Sequence, residues 1–211
     1  AASRTAFDKV LTKTALQSAE LPTPAYEVLA PGDAGPTLPF PVVAKPPREG
    51  SSIGVHRVTC EAAWPAARDD VLAHGGRVLV EAFVEGRELT VGVLDGEPLP
   101  VVEIVAPDRW YGFEAKYTRG ASRYTVPADL PDALSDTCRE LGRRACATLG
   151  CRGAARVDLR LTPDNCPTIL EINTIPGFTE TSLLPMAASA AGLRFSALCD
   201  RIMRKAQTDG P

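Results

Sequence analysis

AARVDLRLTPDNCPTILEINTIPGFTETSL, residues 154–183, contains two apolar segments of strand length on either side of the turn-forming residues TPDNC. Runs of this kind bounded by Pro, Asp and Asn are typical of two strands joined in a hairpin. We therefore predict a β-hairpin made of AARVDLRL and PTILEIN. The Pro-Gly pair that follows ends the sheet, and a short helix is predicted over residues 183–190.

The polar residues of this hairpin fall on alternate positions. Because strand side chains alternate between two faces, Arg156 and Asp158 share one face of the first strand, and Glu171 and Asn173 share one face of the second. If the two faces coincide, carboxylate and amide oxygens lie together, and such hard oxygen ligands suit Mg²⁺. Acidic residues on neighbouring strands are also common on ordinary solvated surfaces, and from spacing alone the two interpretations are about even.

Length and composition indicate a globular protein. The 211 residues are enough for one large domain or two small ones, and 45% hydrophobic with 23% charged residues is ordinary for a soluble chain. The net charge of −3 offers no basic surface for nucleic acid or for an anionic membrane. No apolar run approaches the roughly 20 residues of a membrane span, and the N-terminal stretch has no signal-peptide core. We expect neither a nucleic-acid partner nor a membrane partner.

The cysteines predict a reducing environment. The six of them show no CxxC pair and no metal-finger spacing. Cys138 and Cys146 fall on a predicted helical stripe, where a reduced cysteine is a small apolar residue. We therefore predict a cytoplasmic protein without structural disulfides.

Hydrophobic periodicity predicts an α+β chain with mainly antiparallel sheets, because the regular βαβ alternation of a doubly wound sheet is absent. Residues 4–19 read as one helix whose apolar face holds Phe7, Val10, Leu11, Thr14 and Ala15. A second long helix is predicted between Pro131 and Gly150. Strands are predicted within 21–29, 40–46, 53–58, 77–84, 87–94 and 95–105.

The glycine-rich segment AKPPREGSSIGV, residues 44–55, lies between two predicted strands. Its Gly-Ser-Ser-x-Gly turn offers backbone N–H groups and two hydroxyls without bulky side chains, which is suited to a phosphate. Lys45, at the end of the preceding strand, can bring a cation to the same place. An ordinary hairpin loop with a solvated lysine explains the turn about equally well.

Two further segments carry candidate binding residues. In VEAFVEGRELTV, Glu81 and Glu88 stand at the ends of two strands, where a carboxylate can accept hydrogen bonds from ribose hydroxyls, although a charged strand edge is the simpler explanation of this segment alone. The long stretch from Pro107 to about Ser122 contains four aromatic residues and is predicted to be a lid.

Six motifs, in order, make the chain resemble the D-alanine–D-alanine ligases of the ATP-grasp superfamily. They are DKVLTK, KPPREGSSIGV, VEAFVEGRELTVGVL, EAKYTRGASRYTVPA, CRGAARVDLRL and LEINTIPGFTETSLLPMAA, and together they cover almost the whole chain. The resemblance implies an ATP-grasp fold, in which two α+β subdomains with mainly antiparallel sheets clamp ATP between them. It places an N-terminal helix at 1–20 that docks on the C-terminal subdomain, a small subdomain at 21–82, and a large one at 83–211.

The resemblance also implies an ATP site. Lys9 and Lys45 would contact the phosphates, together with Ser51 and Ser52 of the glycine-rich loop. Lys116 would reach the γ-phosphate from the lid. The residues implied at the adenine and ribose are Glu81, Ala82, Phe83, Val84 and, for the ribose, Glu88.

Metal and amino-acid sites are implied in the same way. Asp158, Glu171 and Asn173 would bind two Mg²⁺ ions, for which Mn²⁺ could substitute. Arg156 and the Gly177 N–H would stabilise an oxyanion, while Ser182 and the Leu183 N–H would hold the carboxylate of the second substrate. Tyr117 in the lid would pair with Ser51, as in relatives that form a dipeptide rather than a depsipeptide.

The activity implied is ATP-dependent ligation of two D-alanine molecules through an acyl phosphate, in peptidoglycan precursor synthesis. The alternatives are a ligase for another amino acid or carboxylate, and a nucleotide-binding module that is inactive without a partner domain. Relatives begin with a further α/β domain, so we expect an excised fragment, one half of a split enzyme with a separate N-terminal subunit, or a natural truncation. The family is commonly homodimeric.

Overall fold

The computed structural model describes residues 1–105 and 122–206, in which helices and strands alternate irregularly. In chain order the elements are α1 (Ala2–Phe7), α2 (Lys9–Ser18), β1 (Tyr26–Leu29), β2 (Val42–Lys45), β3 (His56–Val58), a 3₁₀ turn (Glu61–Ala63), α3 (Trp64–Ala73), β4 (Val78–Ala82), β5 (Arg87–Leu94), β6 (Glu97–Pro98), β7 (Val102–Val105), β8 (Arg123–Thr125), α4 (Asp132–Leu149), β9 (Ala154–Leu161), β10 (Pro167–Asn173), α5 (Leu183–Ala190) and α6 (Phe195–Lys205).

The first half of the chain builds a four-stranded sheet in the order β1-β4-β2-β3. Val42, Ala44, Val78 and Val80 alternate along β2 and β4 and pack in one apolar cluster, which also contains Trp64 of α3. The opposite face of the same strands therefore carries the intervening positions, among them Lys45 and Glu81, and is left for the functional site.

The second half builds a six-stranded sheet in the order β10-β9-β5-β7-β8, with β6 also paired to β5. Every strand pair of the described residues is antiparallel, as the sequence predicts. Helix α4 packs on this sheet. The two cysteines predicted to lie on its apolar stripe, Cys138 and Cys146, are buried there together with Leu141, Ala145 and Leu149. The left-handed Gly150 ends the helix, also as predicted.

The segment between β4 and β5 carries the chain from one sheet to the other. Gly86 has a φ of +140°, and a Cβ built on it would lie 1.9 Å from the carbonyl oxygen of Leu161. A side chain at this position would collide with the backbone of β9, so the close approach of this segment to the larger sheet requires glycine.

The predicted N-terminal helix is wrong in two respects. Asp8 interrupts it with an extended backbone, and its carboxylate accepts hydrogen bonds from the N–H groups of Val10 and Leu11 at 3.0 and 3.2 Å, which caps α2. The predicted apolar face is also misplaced, because Phe7 and Leu11 are 58% and 46% exposed. The residues that α2 buries are Thr12, Lys13 and Leu16.

Helix α2 packs against α4 and β10 of the larger sheet, and its Leu16 belongs to the apolar cluster of that sheet. The division at 1–20, 21–82 and 83–211 stays a prediction. None of the described helices is both long and apolar enough to cross a bilayer.

Candidate active site

A cavity of about 460 Å³ is lined by residues of both sheets, of α1 and α2, and of the glycine-rich loop. It brings together most of the residues that the sequence predicts to bind ATP and metal. Those that line it are Lys9, Lys45, Ser51, Ser52, Glu81, Ala82, Phe83, Val84, Glu88, Asp158, Glu171 and Asn173.

The two strands of the predicted hairpin pair so that their polar residues share a face. Asp158 lies opposite Glu171, and Arg156 lies opposite Asn173. A register shift between Ile169 and Glu171 precedes these pairs. Because side chains alternate along the last three residues of β10, Glu171 and Asn173 both lie on the face of Asp158.

Asp158 is the centre of a hydrogen-bond network. Its Oδ1 accepts from the Thr90 hydroxyl at 2.7 Å and from Arg156 Nε at 2.8 Å. Its Oδ2 accepts from Arg156 Nη2 at 2.8 Å and from Asn173 Nδ2 at 3.0 Å. The two-point contact with the guanidinium fixes the carboxylate and orients Arg156 beside it.

The oxygen donors on this face of the hairpin are of the chemical type that binds a hard cation. Among residues 1–105 and 122–206, no group of three or more His, Cys, Asp or Glu side chains could hold a metal ion. Asp158 and Glu171 instead supply two carboxylates, and Asn173 adds an amide oxygen on the same face. Carboxylate and amide oxygens are the ligands that Mg²⁺ takes in proteins.

The glycine-rich loop has an uncommon left-handed backbone at its two serines. Ser51 and Ser52 have φ values of +55° and +59°, and Gly54 follows with +64°. The Ile53 N–H is used within this turn, where it donates to the Gly50 carbonyl at 3.1 Å, and a turn of this kind can present its remaining N–H groups to an anion. Left-handed serines are uncommon and concentrate at functional sites. Lys9 donates to the carbonyl of Glu49 and thereby ties α2 to the start of this loop.

A buried charge cluster lies beside the loop, and the sequence analysis missed one of its members. Nζ of Lys45 lies 2.7 Å, and Nζ of Lys13 3.0 Å, from the same Oε1 atom of Glu81. Burial would raise the pKa of Glu81, but the charges of Lys45 and Lys13 outweigh it and hold that pKa below its usual value. Lys13 is the last residue of the motif DKVLTK, so that motif could have identified it as a candidate site residue.

Glu88, the residue predicted to bind ribose, is paired with Arg160, which the sequence analysis did not name. Arg160 is buried, lies 3.3 Å from the Glu88 carboxylate and donates to the Gly86 carbonyl at 2.9 Å. Its guanidinium lies 5.7 Å from the ring centroid of Phe83, and that of Arg57 lies 4.1 Å from the same ring. By alternation, Arg160 shares the face of Arg156 and Asp158 and could have been named.

The remaining predicted residues lie outside the lining of this cavity. Arg156 donates to Asp158, which does line the cavity, and Gly177, Ser182 and Leu183 follow β10. A Cβ on Gly177 would lie 3.2 Å from Ser182 Oγ, which itself accepts from the Thr179 N–H at 3.0 Å. Ser182 precedes α5 and makes no cap bond to it. Lys116 and Tyr117 lie outside the described residues.

Comparison with known proteins gives the family. Residues 16–204 match the family described as "D-ala D-ala ligase C-terminus". The chain belongs to the D-alanine–D-alanine ligase family. A D-alanine–D-alanine ligase from Desulforudis audaxviator is 47% identical over 216 residues, which cover 98% of this chain and 70% of that protein. One from Syntrophotalea carbinolica is 44% identical over 204 residues, which cover 96% and 67%. The chain therefore spans about two thirds of the length of these ligases.

Solved ligase structures have the same fold. The D-alanine–D-alanine ligase of Bacillus anthracis, complexed with ATP, superposes with a TM-score of 0.83 at 28% identity, over 97% of this chain and 67% of that chain. The VanG D-Ala:D-Ser ligase of Enterococcus faecalis gives 0.86 at 28% identity, over 96% and 62%. The predicted family and the predicted α+β ATP-grasp fold are thereby confirmed. The individual roles of the site residues stay predictions.

Proposed function

We propose that this chain is an ATP-dependent carboxylate–amine ligase module of the D-alanine–D-alanine ligase type, which acts in peptidoglycan precursor synthesis. One observation supports this above the others. A single cavity holds the left-handed serine loop and Lys45 on one side, and the Asp158–Glu171–Asn173 face on the other. Phosphate-binding groups and cation-binding groups facing one space suit a nucleoside triphosphate and its metal.

ATP is proposed to lie along this cavity. Its phosphates would be held by Lys9, Lys45 and the loop N–H groups, and Lys116 is proposed to contact the γ-phosphate. The adenine would lie against the chain from Glu81 to Val84, and the ribose hydroxyls would donate to Glu88. Arg160 and its hydrogen bond to Gly86 keep the Glu88 carboxylate at the cavity wall, so less conformational freedom is lost when the ribose binds.

Asp158, Glu171 and Asn173 are the residues proposed to hold Mg²⁺, with Mn²⁺ as a substitute. A bound ion would supply positive charge to the phosphoryl oxygens. Arg156 donates to both oxygens of Asp158, and this pairing is proposed to orient its guanidinium toward the reacting groups.

Two steps complete the proposed reaction. The carboxylate of the first D-alanine attacks the γ-phosphorus, so that a P–O bond forms and ADP leaves. The amine of the second D-alanine then attacks the carbonyl carbon of this acyl phosphate. A C–N bond forms, the C–O bond to phosphate breaks so that phosphate leaves, and the amine nitrogen loses a proton. Arg156 and the Gly177 N–H are proposed to stabilise the tetrahedral oxyanion.

The start of α5, with Ser182 and the Leu183 N–H, is proposed to bind the carboxylate of the second substrate. In the dipeptide-forming relatives a lid tyrosine pairs with the first serine of the loop, and we propose the same for Tyr117 and Ser51.

A coupled assay of ADP release tests this proposal. We expect turnover that requires ATP, Mg²⁺ and D-alanine together, either with the chain alone or with a second polypeptide that carries the N-terminal third of a relative. L-alanine at the same concentration is the control, and mass spectrometry should find the D-alanyl dipeptide. Failure of D-alanine to raise ADP release in both arrangements would contradict the proposal.

A different second substrate is the competing function. The similarity to a D-Ala:D-Ser ligase structure favours a different second substrate. This chain superposes on that structure as well as it does on a D-alanine–D-alanine ligase structure. D-serine and other D-amino acids should therefore be offered together with D-alanine, and the mixed products compared. Dependence on ATP fits the cytoplasmic location predicted from the sequence, and a homodimer or a separate N-terminal subunit remains part of the proposal.

A further inference from the structure

Lys13 is buried more completely than any other charged side chain of the described residues. It is 1% exposed and lies on α2, one turn beyond Lys9. Its Nζ lies 3.0 Å from Glu81 Oε1 and donates to the Thr23 hydroxyl at 2.8 Å. Lys13 is not among the residues that line the ATP cavity, whereas Glu81 and Lys45 are. A buried charge outside the cavity lining needs a reason, because burying an ammonium is costly.

The charge of the cluster supplies that reason. Lys13 and Lys45 both contact one oxygen of Glu81, so two ammonium groups and one carboxylate leave a net charge of +1. Without Lys13, Glu81 and Lys45 would form a neutral pair, and the wall of the cavity would attract a phosphate less strongly. The attraction between this net charge and a phosphate is stronger in a buried site than in water, because the local dielectric constant is lower.

The contacts of Lys13 also connect the two sheets. Thr23 receives the hydrogen bond from Lys13 and donates its own hydroxyl to the carbonyl of Ile169 at 3.0 Å. Ile169 lies on β10, two positions before Glu171. Lys13 therefore holds Glu81 of the small sheet at a fixed distance from the strand that carries the proposed metal ligands.

We propose that Lys13 is a positioning residue for nucleotide binding: it neutralises Glu81, so that Lys45 keeps its place and its positive charge toward the phosphates. This inference rests on the proposed function, because it assumes that a nucleotide binds in the cavity.

The surroundings of Lys13 should make nucleotide affinity depend on pH. Burial lowers the pKa of Lys13 to about 8, the charge of Glu81 opposes that shift, and Lys45 adds to it. The other groups that face it are Glu171 of β10 and the ring of Tyr26, whose centroid is 5.6 Å from Nζ. As pH rises through this value the cluster loses its net positive charge, and nucleotide affinity should fall.

Calorimetric titration of ADP in EDTA tests the inference without any metal. At pH 7.5 we expect Lys13→Met to bind ADP roughly 10- to 100-fold more weakly than the parent chain, a size taken from the analogous residues that orient metal ligands. The double variant Lys13→Met/Glu81→Gln removes both opposite charges and should recover most of the affinity. Arg4→Met, which removes an exposed cation from the neighbouring helix, should bind like the parent.

The pH series separates positioning from a merely structural role. Between pH 7.5 and 9.5 the affinity of the parent chain should fall, and that of the double variant should stay level. If the parent does not bind ADP, the proposed function fails together with the inference. If the parent binds ADP but Lys13→Met binds equally well, or the double variant stays as weak as Lys13→Met, the inference alone is overturned. Should Lys13→Met not fold, a level pH series of the parent would overturn it.

Discussion

Glu171→Gln is expected to lower the rate of ADP release by about 10²- to 10³-fold, the loss typical when one group that stabilises transition-state charge is removed. The amide keeps the shape of the side chain but takes away the anionic oxygen that Asp158 faces across the hairpin. Glu171 is half-buried at the cavity wall, so the midpoint of urea unfolding should change little.

Initial rates measured over a range of Mg²⁺ concentrations decide this prediction. Glu97→Gln is the matched control, because this exposed carboxylate lies on β6 outside the cavity lining. A rate within twofold of the parent at every Mg²⁺ concentration would mean that Glu171 is not a metal ligand. Asp158 is less suited to this test, because it is 7% exposed and its two oxygens accept from Thr90, Arg156 and Asn173.

Glu81→Ala is expected to produce the largest loss of stability, about 3–5 kcal/mol of the free energy of unfolding, as is usual when one partner of a buried ion pair is removed. Glu81 is 2% exposed, and its removal would leave the ammonium groups of Lys13 and Lys45 buried side by side. Urea denaturation at pH 7 measures the change. Glu85→Ala, an exposed glutamate in the same segment, should stay within about 0.5 kcal/mol of the parent.

The stabilisation by Glu81 should also depend on pH in a defined direction. Burial would raise the pKa of Glu81, but the charges of Lys45 and Lys13 outweigh it and hold that pKa below its usual value in the folded chain. A carboxyl with a lowered folded-state pKa stabilises the fold above its unfolded pKa and loses that contribution as pH falls through the folded value. The difference in unfolding free energy between the parent and Glu81→Gln should therefore be constant from pH 7 to about 5 and shrink under more acidic conditions. A difference that grows on acidification would show that the two lysines do not stabilise the ionised form.

Much of the fold follows from local patterns in the sequence. The structure interrupts the alternation of PTILEIN with a register shift between Ile169 and Glu171. On either side of that shift alternation still decides which side chains share a face, and Asp158 pairs with Glu171 on one face. Gly150 ends α4 because a left-handed residue is needed there. Such features depend on neighbours along the chain or on a strict period of two, and both are visible in a sequence.

The N-terminal helix shows what a sequence pattern cannot supply. Asp8 is an ordinary polar residue in a helical pattern, but its capping bonds and its 2.8 Å contact with Arg48 make it a break. The motif DKVLTK contains Lys13, but no pattern in the sequence shows that its partner is Glu81 on a distant strand. The face that α2 buries is therefore chosen by tertiary contacts, which override the apolar periodicity of the segment.

Anomalous diffraction from a crystal grown with Mn²⁺ and a non-hydrolysable ATP analogue would test the central claim most directly. The expected result is a manganese peak within coordination distance of Glu171 and Asn173 oxygens, with the analogue's phosphates between that ion and Lys45. An ordered analogue elsewhere on the protein, or a manganese ion bound by phosphates alone with the hairpin bare, would contradict the account.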